Sequence, residues 1–159
     1  MKHDYKITLK YRELQTARTS LIKAKTQAKN QFAQQHLALT KALTRARIRK
    51  IESQIDRFDT EIQARIETCP KRKRNAQIIK SIPGIGQVLA NTILIEMPEI
   101  STINNKAVAA LTGVAPYMRQ SGQWRGKAFI QGGRKPLRDA LYMPALVVIR
   151  YNPDMKAKY

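Results

Sequence analysis

The sequence predicts a mainly α-helical protein. A long antiparallel helical (coiled-coil) arm occupies residues 1–70, and a small helical domain with a helix-hairpin-helix motif and an irregular basic loop occupies 71–159. Three observations carry this. No Gly or Pro occurs between Ile7 and Cys69. Apolar residues in that run recur at steps of three or four, the spacing of a helical seam. After it, Pro and Gly return at intervals suited to short helices joined by tight turns.

The first seam reads Ile7, Tyr11, Leu14, Ala17, Leu21, Ala24, Ala28, Phe32, and a second reads Ile48, Ile51, Ile55, Phe58, Ile62, Ile66. The polar stretch from Asn30 to His36 interrupts them and is the predicted turn between two paired helices; one continuous helix is the alternative. The alanines of the first seam permit close approach of a partner helix, in this chain or another copy, so a homo-oligomer through the arm is expected. Pro70 is predicted to end the second helix. Lys71, Arg72, Lys73 and Arg74 follow as a dense positive knot, in a loop or in the first turn of a short helix through Ile82.

Ser81-Ile82-Pro83-Gly84-Ile85-Gly86-Gln87 reads as helix end, tight turn, new helix. Pro83 breaks the preceding helix, while Gly84 and Gly86 permit positive φ and place no Cβ before an incoming ligand. The next helix, Gln87 to Glu96, begins with free N–H groups, and together these form a cradle for a phosphate. Its packing residues are Val88, Leu89, Thr92, Ile93 and Ile95, and Pro98 stops it. Asn104 or Asn105 caps a short helix that closes at Gly113. Residues Ala115 to Lys135 form the irregular loop, which holds the single tryptophan, Trp124. Pro136 opens a last helix, with Leu137, Leu141, Leu146 and Val148 facing the core and Pro144 kinking it.

Composition narrows the function. Thirty Lys and Arg against 11 Asp and Glu give a net charge of +19, which favours a polyanionic partner, nucleic acid first. A membrane-surface partner is disfavoured, because no strongly apolar helix face with Trp or Phe lies opposite the basic one, and the apolar run from Met143 to Ile149 is too short to span a bilayer. The N-terminus lacks the apolar run of a secretory signal. Cys69 is alone, which excludes an intrachain disulfide and suits a reducing compartment. No metal site is expected: His3 and His36 are isolated. Glu52, Asp56 and Asp59 share a helical face but read as a solvated stripe pairing with Arg49 and Arg57.

In the irregular loop a hydroxyl, Ser121, stands beside Gly122 among Arg119, Arg125, Lys127, Arg134, Lys135 and Arg138. A serine nucleophile attacking phosphorus needs such cations to neutralise charge on the non-bridging oxygens. Ser-Gly is equally a common turn dipeptide, so composition leaves a plain turn open.

An ordered set of motifs adds to this reading: Ile82-Pro83-Gly84-Ile85-Gly86, Leu111-Thr112-Gly113-Val114-Ala115-Pro116, Gln120-Ser121-Gly122, and Leu137-Arg138-Asp139-Ala140-Leu141-Tyr142. Over residues 78–155 the chain resembles the C-terminal transposase domain of the IS110/IS116/IS902 insertion-sequence family, and the basic arm resembles that family's linker coiled coil. The resemblance implies a DNA recombinase of bacterial cytoplasm, nucleoid-associated, in which Ser121 becomes joined to DNA. By their own chemistry, and not from a family motif, the hairpin residues Pro83, Gly84, Ile85, Gly86 and Gln87, the knot Lys71–Arg74, Arg119, Gly122, Arg125, Lys127, Arg134, Lys135 and Arg138 are the candidate nucleic-acid contacts. The resemblance also implies a guide RNA, as in characterised relatives, and an RNase-H-like half that binds Mg2+. No such half precedes the arm, so the chain is expected to carry no cofactor and to be inactive alone, as a piece or a shortened copy of the enzyme. The alternative is a non-catalytic nucleic-acid-binding and oligomerisation module.

Overall fold

The computed structural model describes residues 2–118, 120–121 and 124–158, with side chains over 9–118 and 126–158. It divides into two compact units, Met1–Lys73 and Arg74–Tyr159.

In the first unit α1 (Lys2–Gln34) and α2 (Ala38–Glu67) form the paired helices, joined by a three-residue link, Gln35 to Leu37. The predicted turn therefore falls at the very end of the polar stretch, and α1 runs on through Asn30. Pairing buries Tyr11 and Ala28 of α1 and Ile51, Ile55, Ile62 and Ile66 of α2. Each isoleucine contributes roughly 1.5–3 kcal/mol by leaving water, which a lone continuous helix would forgo.

The antiparallel register is written in four cross-helix ties at seven-residue steps along α1. The Tyr11 hydroxyl donates to the Arg65 carbonyl at 2.7 Å. Arg18 binds Asp59 through both carboxylate oxygens, at 2.5 and 3.1 Å. Lys25 pairs with Glu52 at 2.9 Å, and the Arg45 guanidinium lies 5.4 Å from the centre of the Phe32 ring. Glu52 and Asp59 of the acidic stripe thus reach across to α1, where the sequence suggested Arg49 and Arg57 on their own helix. A cross-helix cation on the seam is partly shielded from water, so it out-competes an exposed i, i+4 neighbour.

Helix α3 (Pro70–Lys80) contains the boundary between the units. Pro70 opens it instead of merely ending α2, whose C-cap is Thr68; at a first helical position the missing N–H costs nothing. The knot Lys71–Arg74 is the first turn of α3, where cations oppose the helix dipole.

The second unit holds α4 (Gln87–Glu96), α5 (Asn105–Thr112), α6 (Lys135–Tyr151) and α7 (Pro153–Lys158). Helix α6 is the common neighbour: α4, α5 and α7 all pack on it. Leu89, Ala90, Ile93, Leu94, Ile95 and Met97, with Leu137 of α6, are buried. The Asn104 side chain caps α5 by accepting the Ala107 N–H at 2.9 Å, and Gly113 ends it in the left-handed region at φ 76°.

Three expectations are corrected here. Val88 and Leu146 are 46% and 48% exposed, because Val88 sits on the open first turn of α4 and Leu146 lies off the core-facing side of α6. Pro136 is the second residue of α6, after Lys135, and α7 follows as a further helix. The irregular loop contains two short antiparallel ladders, β1 (Pro116–Tyr117) with β4 (Phe129–Ile130), and β2 (Gln120–Ser121) with β3 (Trp124–Arg125). Helix α6 continues through Pro144.

Candidate nucleic-acid interface

The turn between α3 and α4 closes when the Ile85 N–H donates to the Ile82 carbonyl at 3.1 Å. Pro83 and Gly84 are its corners. Gly84 has φ 89°, a conformation that glycine alone adopts without steric cost. It also meets α6: a Cβ there would lie 2.6 Å from Val148 Cγ2. Gly86 differs from the sequence expectation. Its φ is −84°, it is the N-cap of α4, and a Cβ on it would meet nothing within 4 Å. Its contribution is openness, not a left-handed backbone.

Pro83, Gly84 and Gly86 are exposed, and Ile85 and Gln87 are half-buried. No side chain caps α4 and no acid stands in its first turn. The Gln87 side-chain amide donates forward to Asn91 Oδ1 at 2.9 Å, so it does not fold back over the turn. The far end is treated oppositely. The Arg134 guanidinium donates to the carbonyl of Glu96, the last residue of α4, and to the Glu99 carboxylate. A cation thus meets the negative end of the α4 dipole, while the positive end faces solvent without an anion.

Ile85 and Leu89 form one wall of an apolar cleft of about 480 Å³. Leu141, Pro144 and Val148 of α6 and Met155 of α7 line the other side, with Lys158 also on its lining.

The loop after α5 is a ribbon. Ser121 pairs with Trp124 and Gln120 with Arg125 in the outer ladder, Tyr117 with Phe129 and Pro116 with Ile130 in the inner one. Arg119 and Gly122 lie outside the described residues, as do the side chains of Ser121 and Arg125. Lys127 is exposed. Lys135 pairs with Asp139 at 2.5 Å on the surface. Arg138 Nη1 donates to the Gly132 carbonyl at 2.5 Å and the Gly113 carbonyl at 3.3 Å. The Arg138 guanidinium therefore holds protein carbonyls at the root of the ribbon, while that of Arg134 holds the end of α4.

One helix brings turn and ribbon into a single frame. Arg138 holds the ribbon root, and Val147 and Val148 take the turn. Those positions are separated by about 15 Å of helix at 1.5 Å per residue. The sequence reading did not foresee this role for α6. Its only trace in sequence is glycine at both ends of the ribbon, Gly113 and Gly132-Gly133.

In the first unit Lys71 and Lys73 are exposed, and Arg72 lies 4.8 Å from the centre of the Tyr11 ring. Arg74, which begins the second unit, is exposed too. On the arm Lys23, Lys29, Arg47, Arg49 and Lys50 face solvent. Lys25, with Lys29 nearby, holds the Glu52 carboxyl below the usual carboxylate range. Among the described residues no three His, Cys, Asp or Glu side chains gather as metal ligands. Asp59, Glu52 and Glu61 are each bound to a cation, Arg18, Lys25 and Arg65. No described helix is long and apolar enough to cross a membrane.

Fold and site define a strongly basic helical protein in which one helix carries both an exposed glycine turn and a serine-bearing ribbon. The chain belongs to the transposase IS116/IS110/IS902 family, whose model matches residues 76–159. It is 30% identical over 150 residues to the pilin gene-inverting protein of Moraxella bovis, covering 92% of this chain and 45% of that protein. The same values hold for the pilin gene-inverting protein of Moraxella lacunata. An uncharacterized 42 kDa protein of insertion element IS900 from Mycobacterium paratuberculosis is 33% identical over 121 residues, 70% of this chain and 30% of that protein. The chain spans about half the length of the Moraxella relatives.

Proposed function

We propose that this chain is the DNA-gripping and nucleophile-bearing part of a transposase or DNA recombinase. The observation that carries the grip is the uncapped, acid-free first turn of α4, presented by an exposed glycine turn in a protein of net charge +19. Backbone N–H groups in that setting bind a phosphate of the DNA backbone without reading sequence. Exposed Lys127 and the knot Lys71–Arg74 add long-range attraction.

Ser121 is the proposed nucleophile. Its Oγ would form a bond to phosphorus as the bond from phosphorus to a deoxyribose oxygen breaks, and the hydroxyl proton would end on the released sugar hydroxyl. Placement on an outer ladder, away from the packed helices, supports access to a bulky duplex. The names of the relatives support a rearrangement of DNA as the outcome. Metal chemistry would come from elsewhere in a full-length enzyme and any guide RNA would be a separate molecule, so this chain alone would bind DNA without cutting it.

The test is covalent trapping in a full-length family member carrying residues 1–159 in place of its matching segment. Ser121→Ala should abolish protein–DNA adducts and leave duplex affinity near the parent value. Adducts at parent yield would overturn the nucleophile.

A second reading concerns assembly. Leu37 and Leu39 are each 71% exposed and Leu43 is 63% exposed at the link end of the arm. Such a cluster supports association with another copy through the arm. Sedimentation of Leu39→Lys/Leu43→Lys against the parent would test it: a smaller species supports association, and an unchanged one opposes it.

A further inference from the structure

We propose that Arg138 is a positioning residue that clasps the neck of the Ser121 ribbon, not a ligand for phosphate; the catalytic side of this rests on the reading of Ser121 above. The neck is a contact of backbone on backbone. A Cβ on Gly133 would lie 2.3 Å from the Gly113 nitrogen and 2.4 Å from its Cα. A Cβ on Gly113 would lie 2.4 Å from both Arg138 Nη1 and the Gly132 oxygen. Both glycines have positive φ, 76° and 67°. Any side chain at either would force the two roots apart.

Arg138 completes this closure. Its Nη1 carries two hydrogens and donates to one carbonyl on each root, Gly132 at 2.5 Å and Gly113 at 3.3 Å. The cation also sits at the carbonyl end of α5, where the helix dipole favours it. A second bond, from the Arg134 N–H to the Leu111 carbonyl at 2.7 Å, ties the start of α6 to α5. Beyond the neck each ladder pairs two residues on each strand among the described residues. Ribbons that short do not hold their own direction in water. The direction of Ser121 is therefore set at the neck, through Arg138.

The functions of clasp and phosphate ligand separate experimentally. Amide hydrogen exchange on this chain reads the ribbon directly. Arg138→Ala should speed exchange of the β1–β4 ladder amides roughly ten- to hundredfold, the effect of losing hydrogen bonds to a charged donor, while α4 amides stay protected. Added guanidinium ion should restore protection, and Arg138→Lys should restore part of it. The slope of log affinity for duplex DNA against log salt should not change. Unchanged ladder exchange with a slope shallower by about 0.9 would make Arg138 a phosphate ligand and overturn the proposal.

If Arg138→Ala exposes every amide, Gly133→Ala decides. It pries the neck with Arg138 present, and should release the ladder selectively; a ladder still at parental protection in Gly133→Ala would overturn the clasp. In the full-length context, Arg138→Ala should lower adduct yield with affinity kept, and guanidinium should raise it again; absence of that rescue, with exchange rescued, would overturn the link to Ser121. Ser121→Ala should leave ladder exchange at the parent rate. Failure of the nucleophile reading would appear in its adducts alone, so the two are told apart.

Discussion

Replacing Gly86 with valine separates the anion cradle from the fold that presents it. Gly86 has φ −84° and ψ 174° and open space where a Cβ would go. That backbone suits a β-branched residue. The folding cost is the poorer N-cap, about 1 kcal/mol or less. The valine side chain would stand before the free amides of α4 and exclude a phosphate from them. Losing hydrogen bonds to a charged group costs about 1.5–3 kcal/mol, roughly ten- to hundredfold in affinity. The amides carry no net charge, so the slope of log affinity against log salt, set by Lys and Arg, should stay near the parental value between about 50 and about 200 mM salt. Fluorescence anisotropy on a labelled duplex across that range measures it, with circular dichroism to certify the fold. Gly84→Ala is the contrasting control. Positive φ costs an alanine about 1–2 kcal/mol, and its Cβ would meet Val148 at 2.6 Å, so that variant should lose stability first. A folded Gly86→Val protein with parental affinity would refute the cradle.

Further outcomes follow from the arm and the core. Asp59→Ala leaves the Arg18 guanidinium, 11% exposed, without its carboxylate and should cost about 1.5–3 kcal/mol in urea unfolding, more than Arg18→Met, which removes the charge as well. Ile62→Ala, at 1% exposure, should cost about 2–5 kcal/mol by the same measurement. The Glu52 carboxyl titrates below its ordinary value because Lys25 hydrogen-bonds it. Its stabilising contribution is therefore complete above the ordinary glutamate range and is lost as pH falls through the lowered value. Thermal melts of Glu52→Gln and parent should converge in acid and separate toward neutrality; a constant gap would refute that pairing.

Much of the arm was legible because a seam with helical period and no Gly or Pro admits few alternatives. The bounds of α4, the Asn104 cap and the Gly113 terminator were legible for the same kind of reason: each is a local rule of backbone and side chain. The partners of Glu52 and Asp59 were not. Sequence exposes neighbours at i, i+4, whereas the register that sets Lys25 and Arg18 opposite them exists only after the helices pair. The ribbon was hidden because strands of two residues carry no period. Gly86 was misread because glycine tolerates both signs of φ, and its neighbours do not say which is used. Arg134 and Arg138 looked like phosphate ligands by composition. Only folding shows that their guanidiniums meet the carbonyls of Glu96, Gly113 and Gly132.

The grip itself can be watched at the atoms concerned. Backbone amide resonances of Gly86, Gln87, Val88 and Leu89 should move together, saturably, when the isotope-labelled protein is titrated with a short duplex, and the movement should vanish in Gly86→Val. Amides at the start of α4 that stay still while resonances elsewhere follow the DNA would contradict the account.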